Sequence, residues 1–450
     1  MNVTTILRRG LAASLLLACA AALAAPAKHV VLISIDGLRP EFYRQTDWPT
    51  PNLQELAREG SSSDGVRGIF PTLTYPSHTT LVTGVAPAGH GIRYNTRFSP
   101  QGNGLWYVDA ADVQAPTLWQ ALRQAGLTSA AVSWPISKGA PIDYNLPEIW
   151  SYTDPYDRTG PIREHATPPG LFDEVERNAT GKLRALDLDY RGLAMDENNS
   201  RILAYLLRTY RPSLAAIHLV AADSAQHAVG RSGARVNKAL ATVDKAVGNI
   251  LDALKQAGLA ADTAVIVTGD HGFAAVHTSL SPNVWLRKAG LLPDAPGDGN
   301  WRASFHAAGG SAFLRLRDPG DDAALTRVRA LLAALPTEQQ ALFSVVEVEE
   351  LRREGADPEA VLALAGTSGV LFRNDATGSV LGQASGGAHG HHPDQSGLQT
   401  GFIGYGAGFA RGGQAGPLAL TDIAPVVARL LGIPFAAPCS AQCRALVPSP

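Results

Sequence analysis

Three apolar, β-branched runs, "HVVLISID" (29–36), "LAAIHLV" (214–220) and "DTAVIVTGD" (262–270), each reach a carboxylate at or just beyond their end. A strand with no polar alternation is buried on both faces, the habit of parallel sheets covered by helices. The intervening segments carry helical periodicity: "TPNLQELAREG" (50–60), with Thr50 as cap and Gly60 as stop, then 196–210 and 236–258. This alternation predicts an α/β fold with a mostly parallel central sheet and helices on both faces. In such sheets ligands bind outside the carboxyl ends of the strands. Asp36, Asp223 and Asp270 are therefore expected along one rim.

The rest of the frame is filled by a strand at 62–70, a helix from about residue 76, helices in "APTLWQALRQAG" and "LTDIAPVVARLLGI", and a strand in "LTSAAVSW". Residues 285–385 change texture, with "GGSAFLRL", a helix in "DDAALTRVRALLAAL" and short strands "GVLFR" and "SVLGQA", and read as a small α+β insertion. Residues 136–195, rich in Pro, Gly, Asp and Tyr, read as long loops over the sheet edge, a usual place for substrate contacts.

The chain of 450 residues carries 38 basic and 40 acidic side chains, and no basic run or stripe stands out. That balance argues against a nucleic-acid-binding patch. Arg8 and Arg9 precede "GLAASLLLACAAALAA", too short to span a bilayer, with Ala22 and Ala24 forming a small-x-small cleavage site. Residues 1–25 thus read as a signal peptide for a periplasmic or secreted protein; Cys19 as a lipid-modified terminus is the rival. No later run reaches the roughly 18 apolar residues of a transmembrane segment. The mature chain reads as one catalytic domain over 26–435, followed by a tail over 436–450. There Cys439 and Cys443 are expected to form a small staple, two thiols without a nearby histidine being too few for a metal.

Further ligand types gather around the strand ends. Asp223 is followed four residues later by His227, which a helix would place on the same face. Asp270 adjoins His271, and "SGGAHGHHPD" adds His389, His391 and His392 among glycines that permit tight bending. Each alone has an ordinary reading as turn cap, solvated helix face or exposed loop; their coincidence on one rim points to metal. Such nitrogen and oxygen sets divide into two groups and suit Zn²⁺. His29, His165, His218 and His277 have no partner pattern and read as structural or surface residues, whereas His306 is open between pocket and core.

In "GIFPTLTYPSHTTLVTG" (68–84) Pro76 suits the first helical position and Gly84 the stop. Thr74 then projects at a helix N-terminus, where free N–H groups and the dipole favour phosphate. Thr72 lacks that placement. A threonine hydroxyl needs a base or metal to become a nucleophile.

Taken in order, "ISIDG", "TYPSHTTLVTG" with "GHGI", the Asp223-x-x-x-His227 pair, "GDHG" and "GAHG" resemble the nucleotide pyrophosphatase/phosphodiesterase family of the alkaline phosphatase superfamily. The resemblance runs from about 29 to 433, including "WLRKAGLL" and "TDIAP". It implies an alkaline-phosphatase-like fold, two Zn²⁺ ions, Thr74 as nucleophile and Asn95, in "GIRYN", as donor to a phosphate oxygen. It assigns Asp223, His227 and His389 to one zinc, and Asp36, Asp270, His271 and the Thr74 oxygen to the other. The activity implied is hydrolysis of phosphodiester or phosphoanhydride bonds in a small-molecule or nucleotide substrate, through a phosphothreonine intermediate. Departures bear on substrate: Tyr75-Pro76-Ser77-His78 replaces Phe-Pro-Asn-His, His389-Gly390-His391-His392 replaces His-Gly-Tyr-Asp, and "VAA" precedes Asp223 where Glu-Pro is common.

An alkaline-phosphatase-type monoesterase and a phosphonate hydrolase are alternatives on the same frame. The monoesterase usually clamps phosphate with Lys-x-Arg, where this chain offers Lys138, and Trp134 near the site favours a diester. No sulfatase motif is present. A non-catalytic envelope binding protein is the alternative of a different class.

Overall fold

The computed structural model describes residues 27–100, 102, 104–154, 156–293 and 299–447. The signal-peptide reading of 1–25 and its rival at Cys19 lie outside the described residues.

An eight-stranded sheet forms the centre. In spatial order its strands are Gly413–Gln414, Ser61–Ser62, Phe402–Gly406, Thr263–Thr268, His29–Ile35, Leu214–Leu219, Ser129–Val132 and Tyr144–Leu146. Phe402–Gly406 runs antiparallel to both its neighbours, and the remaining pairs are parallel. The first strand is buried on both faces by alternation. Val31, Ile33 and Ile35 pack against the helices Pro51–Glu59, Ala194–Tyr210 and Ala234–Gln256. Val30 and Leu32 face the opposite layer, which contains Thr74–Thr83, Leu118–Gln124 and Ile423–Leu430. The helix Ala234–Gln256 shows why it lies there, burying Val236, Leu240, Val243, Val247, Ile250 and Leu254 along one stripe.

Register sets the rim. Ile35 pairs with Leu219, and Ser34 pairs with Thr268. Asp36 and Asp270, each two residues beyond the Ser34–Thr268 pair, therefore leave the sheet at one level. The chain after Leu219 turns into the helix Ala221–Val229, which carries Asp223 in its first turn.

A second sheet, wholly antiparallel, orders Phe343–Glu347, Leu362–Gly366, Ser311–Leu316 and Ala303–Ala307, with the helix Asp322–Ala333 packed on it through Ala324, Val328 and Leu332. Phe313 and Ala363 of this sheet pack with Phe70, Leu73 and Tyr94, backing the approach to Thr74. Gly369–Phe372 and Leu381–Gln383 do not join it, but flank Ala274–Leu280 in a third sheet. Cys439 and Cys443 are disulfide-bonded.

Three local expectations are corrected. In place of a strand over 62–70 there are two-residue strands Ser61–Ser62 and Val66–Arg67; Gly65 and Gly68 interrupt the run. The helix expected from Pro76 begins at Thr74 with Leu73 as cap, so Pro76 is its third residue. Proline is tolerated there because first-turn N–H groups have no intrahelical partner. Residues 136–195 hold the edge strand Tyr144–Leu146 and the short helices Gly160–His165 and Leu171–Val175 as well as loops.

Candidate metal centre and active site

Asp36, Asp270 and His271 place ligand atoms within 4.8 Å of one another, and so do Asp223, His271 and His389. His271 thus belongs to both groups. His227 lies outside them, on the exposed side, with Nε2 3.3 Å from Asp223 Oδ1. The helix Ala221–Val229 sets that four-residue pair on one face.

Three imidazoles are oriented alike. Nδ1 of His271 faces the Gly272 carbonyl at 3.1 Å, that of His227 the Gly387 carbonyl at 3.0 Å, and that of His389 the Thr72 carbonyl at 2.9 Å. A carbonyl only accepts, so each Nδ1 carries the proton and each Nε2 presents a lone pair, as a metal ligand must. Burial holds His271 down to about 4 and His389 well below the ordinary imidazole value. Both imidazoles are neutral at neutral pH. The His389 loop needs its glycine, because Gly390 has φ +84° and an added Cβ would lie 1.8 Å from the Ala308 carbonyl oxygen.

The carboxylates are less content. Asp36 Oδ1, Asp223 Oδ1 and Asp270 Oδ2 are buried without a hydrogen-bond partner. Burial, and then the facing Asp223 and Asp270, hold Asp36 well above the carboxylate range. Burial likewise raises Asp270. For Asp223 burial also acts upward, but the surrounding imidazoles, His227 first and then His389 and His271, together outweigh it and hold the group down. Two like charges about 5 Å apart repel by about 3 kcal/mol at an effective dielectric constant of 20. Bound cations would remove that repulsion and give each orphaned oxygen a partner, so the donor set fits divalent metal with nitrogen and oxygen ligands.

Thr74 opens its helix with Oγ1 3.3 Å from His271 Nε2. It lines a cavity of about 470 Å³ with Asp36, Asn95, Asp223, His227 and His389. Asn95 Oδ1 accepts the Tyr75 N–H at 2.9 Å, which leaves its amide N–H groups as donors toward the cavity. Thr72 is turned away, its hydroxyl bonded to the His391 carbonyl and the Gly390 amide, each at 3.0 Å.

Residues not singled out by the sequence also converge here. His218, read there as structural or surface, lines the cavity, with Nε2 3.1 Å from Asp36 Oδ2 and Nδ1 2.7 Å from Glu148 Oε2. Tyr75 donates to the other Glu148 oxygen at 2.9 Å. Burial lowers the affinity of His218 for a proton, but the two flanking carboxylates outweigh it and raise the group well above its ordinary value. His78 donates through Nδ1 to the Thr74 carbonyl at 2.8 Å and packs on His218 at 4.2 Å between ring centroids. The available signal was the lone ionisable residue in "LAAIHLV", since a polar group buried inside a two-faced strand must find partners.

Other candidates fall elsewhere. His306 is in the core against Tyr94, at 4.2 Å between centroids, and does not line the cavity. Trp134 is buried behind His78 and lines a separate, narrower pocket. Lys138 pairs with Asp109 at 2.9 Å. His391 is buried with Nε2 facing the Val370 carbonyl at 3.1 Å. His392 joins Glu354 and Asp394 in a third acidic group, but Arg67 already pairs with both carboxylates at 2.9 and 2.7 Å. Among the described residues no helix is long and apolar enough to cross a membrane.

The family model of type I phosphodiesterase/nucleotide pyrophosphatase matches residues 30–360. Ectonucleotide pyrophosphatase/phosphodiesterase family member 3 of Mus musculus is 30% identical over 249 residues, 54% of this chain and 24% of that protein. Venom phosphodiesterase of Naja atra is 26% identical over 255 residues, 55% of this chain and 26% of that protein. The chain matches about a quarter of the length of these relatives. The structure of human ectonucleotide pyrophosphatase/phosphodiesterase 5 aligns with a TM-score of 0.67 at 19% identity, covering 94% of this chain and 100% of that one. Its murine counterpart, an inactive variant in complex with AMP, gives 0.66 at 19% identity over 93% of this chain and 100% of that one. At this identity the structural likeness is one of fold, and it is the alkaline-phosphatase-like α/β fold. With the family model matched over most of its length, this chain belongs to the type I phosphodiesterase/nucleotide pyrophosphatase family.

Proposed function

We propose that the chain is a zinc-dependent hydrolase of phosphodiester or nucleotide pyrophosphate bonds, with Thr74 as nucleophile. The observation that carries this reading is the Thr74 hydroxyl at a helix N-terminus, in one cavity with Asp36, Asp223 and the imidazoles of His227 and His389. Asp223, His227 and His389 would hold one zinc, and Asp36, Asp270, His271 and the Thr74 oxygen the other. Bound zinc supplies positive charge that acidifies a nearby hydroxyl and offsets charge on the phosphoryl oxygens.

In the first displacement Thr74 Oγ1 bonds to phosphorus, the bond to the leaving-group oxygen breaks, and that oxygen takes up a proton. Water then bonds to phosphorus, the phosphothreonine bond breaks, and the Thr74 oxygen regains its proton. Asn95 would donate to a non-bridging oxygen, and the helix dipole favours the same anion. His78 holds the Thr74 carbonyl and so fixes the direction of the nucleophile. The engagement of Lys138 with Asp109 leaves it out of a monoester clamp and supports the diester reading. The disulfide at Cys439 and Cys443 agrees with export to an oxidising compartment such as the periplasm.

A panel of an aryl phosphodiester, an aryl phosphomonoester and a dinucleotide, each assayed with the parent chain and Thr74→Ala, tests this reading. Thr74-dependent turnover favouring diester or pyrophosphate is expected. A clear preference for the monoester would overturn it.

A further inference from the structure

Two buried carboxylates each hold the start of a helix that is not their own. Asp244, in Ala234–Gln256, accepts the Asn52 and Leu53 N–H groups at 3.2 and 2.9 Å, in the first turn of Pro51–Glu59. Asp196, in Ala194–Tyr210, accepts the Val220 and Ala221 N–H groups at 2.9 and 3.0 Å, one on each oxygen, where Ala221–Val229 begins. N–H groups at a helix start have no partner within their own helix. The residue before Ala221–Val229 is Val220, whose side chain has no acceptor, so the cap comes from another helix. Burial raises the Asp196 carboxyl to about 6, with the two N–H groups acting the other way, so it is ionised at pH 8.

The two helices differ in what they carry. Pro51–Glu59 holds none of the proposed zinc ligands. Ala221–Val229 holds Asp223 in its first turn and His227 in its last. Asp270 is fixed by the Gly37 and His271 N–H groups on Oδ1, at 3.0 and 2.9 Å. Asp223 has no such backbone donor among the described residues, and its Oδ1 faces the His227 and His389 imidazoles at 3.3 and 3.7 Å. Where Asp223 lies is therefore set by where its helix starts. Farther along, Gln226 Nε2 donates to the Gly37 carbonyl at 3.0 Å, a second hold that keeps the helix in place if its opening turn loosens.

We propose that Asp196 is a positioning residue of the zinc site, fixing the first turn of Ala221–Val229 and thereby the aim of Asp223 and His227. The inference rests on the zinc reading of those two residues and adds to it a group that does not line the cavity.

Zinc affinity of the full chain at pH 8, in competition with a chromophoric chelator, tests this for the parent, Asp196→Asn and Asp244→Asn. The amide keeps the size of the carboxylate but sets an NH₂ against one of the two N–H groups. Asp196→Asn is expected to weaken zinc binding about 10- to 100-fold, the range for groups that orient a ligand. Asp244→Asn suffers the same loss at a helix without ligands and should bind zinc as the parent does. Parent-like affinity in Asp196→Asn would overturn the proposal. So would equal weakening in both variants, which would mark a general loss of stability. Should Asp196→Asn not fold, hydrogen exchange in the parent decides. Zinc should slow the Val220 and Ala221 amides more than those of Asn52 and Leu53, because binding and order in the first turn are coupled in both directions. Equal effects at the two helix starts would overturn the proposal. A parent chain that binds no zinc removes the zinc reading and this role together; a parent that binds zinc, with any contrary result above, removes this role alone.

Discussion

Thr72 and His389 are joined through the Thr72 carbonyl, which accepts the imidazole Nδ1–H at 2.9 Å. The same residue holds the next turn of the loop through its hydroxyl, which donates to the His391 carbonyl at 3.0 Å. The two threonines of "TLTYP" therefore divide the labour, Thr72 fastening the loop that carries His389 and Thr74 facing the cavity.

Thr74→Ala is expected to abolish turnover while bound zinc, measured by elemental analysis, stays unchanged. Thr72→Ala should retain most of the turnover but lower stability by about 2 kcal/mol, because a buried carbonyl loses its donor and a methyl leaves the core. Thr72→Ser should restore most of that stability by returning the hydroxyl. Equal loss of turnover from both alanine variants would undo the assignment.

Chelation should inactivate the chain and lower its melting temperature, and zinc should restore both. The buried carboxylates also make the sign of one substitution depend on metal. Asp36→Asn relieves burial of charge and repulsion from Asp223 and Asp270 in the stripped protein, but removes a ligand from the loaded one. It should raise the stripped melting temperature and lower the loaded one. Full activity in chelator, or one sign in both states, contradicts the metal centre.

Sequence showed the rim because parallel strands register their ends. Once "HVVLISID" and "DTAVIVTGD" were adjacent, Asp36 and Asp270 had to leave the sheet at one level. The Asp223–His227 pair was legible for a similar reason, helical period fixing a shared face. What stayed hidden depends on contacts between distant segments. Glu148 reaches His218 across 70 residues; the lone ionisable residue of "LAAIHLV" signals that His218 needs a partner, but no local pattern names Glu148 as that partner. Trp134 and His306 went the other way. Sequence sets Trp134 near the site and leaves His306 open between pocket and core, yet the fold puts both in the interior, behind His78 and beside Tyr94.

His218 ties Asp36 to Glu148 and so orients a proposed zinc ligand. Groups that fix a ligand in this way typically change metal affinity by about 10- to 100-fold when removed. His218→Phe should weaken zinc binding by that order in competition with a chromophoric chelator. Glu148→Gln, which keeps an acceptor toward His218, should do less. Unchanged zinc affinity in His218→Phe would leave the residue a role in packing alone.

His306 gives a pH signature remote from the proposed metal ligands. Burial, and then the charge of Arg315, lower it to about 4, with Asp357 acting the opposite way and Tyr94 packed on the ring. The folded chain therefore keeps this imidazole neutral over a range where the unfolded chain binds a proton. A depressed value contributes stability that is present above about 6.5, the unfolded value, and lost as pH falls toward 4. The loss at pH 4 is about 3 kcal/mol, at 1.36 kcal/mol for each pH unit between the two values. His306→Phe removes the titrating group and the unpartnered Nδ1 while keeping a ring beside Tyr94. Urea unfolding of both chains from pH 7 to pH 4 should therefore show the variant gaining about 3 kcal/mol on the parent. A difference that stays constant across that range would mean that His306 takes up its proton without unfolding.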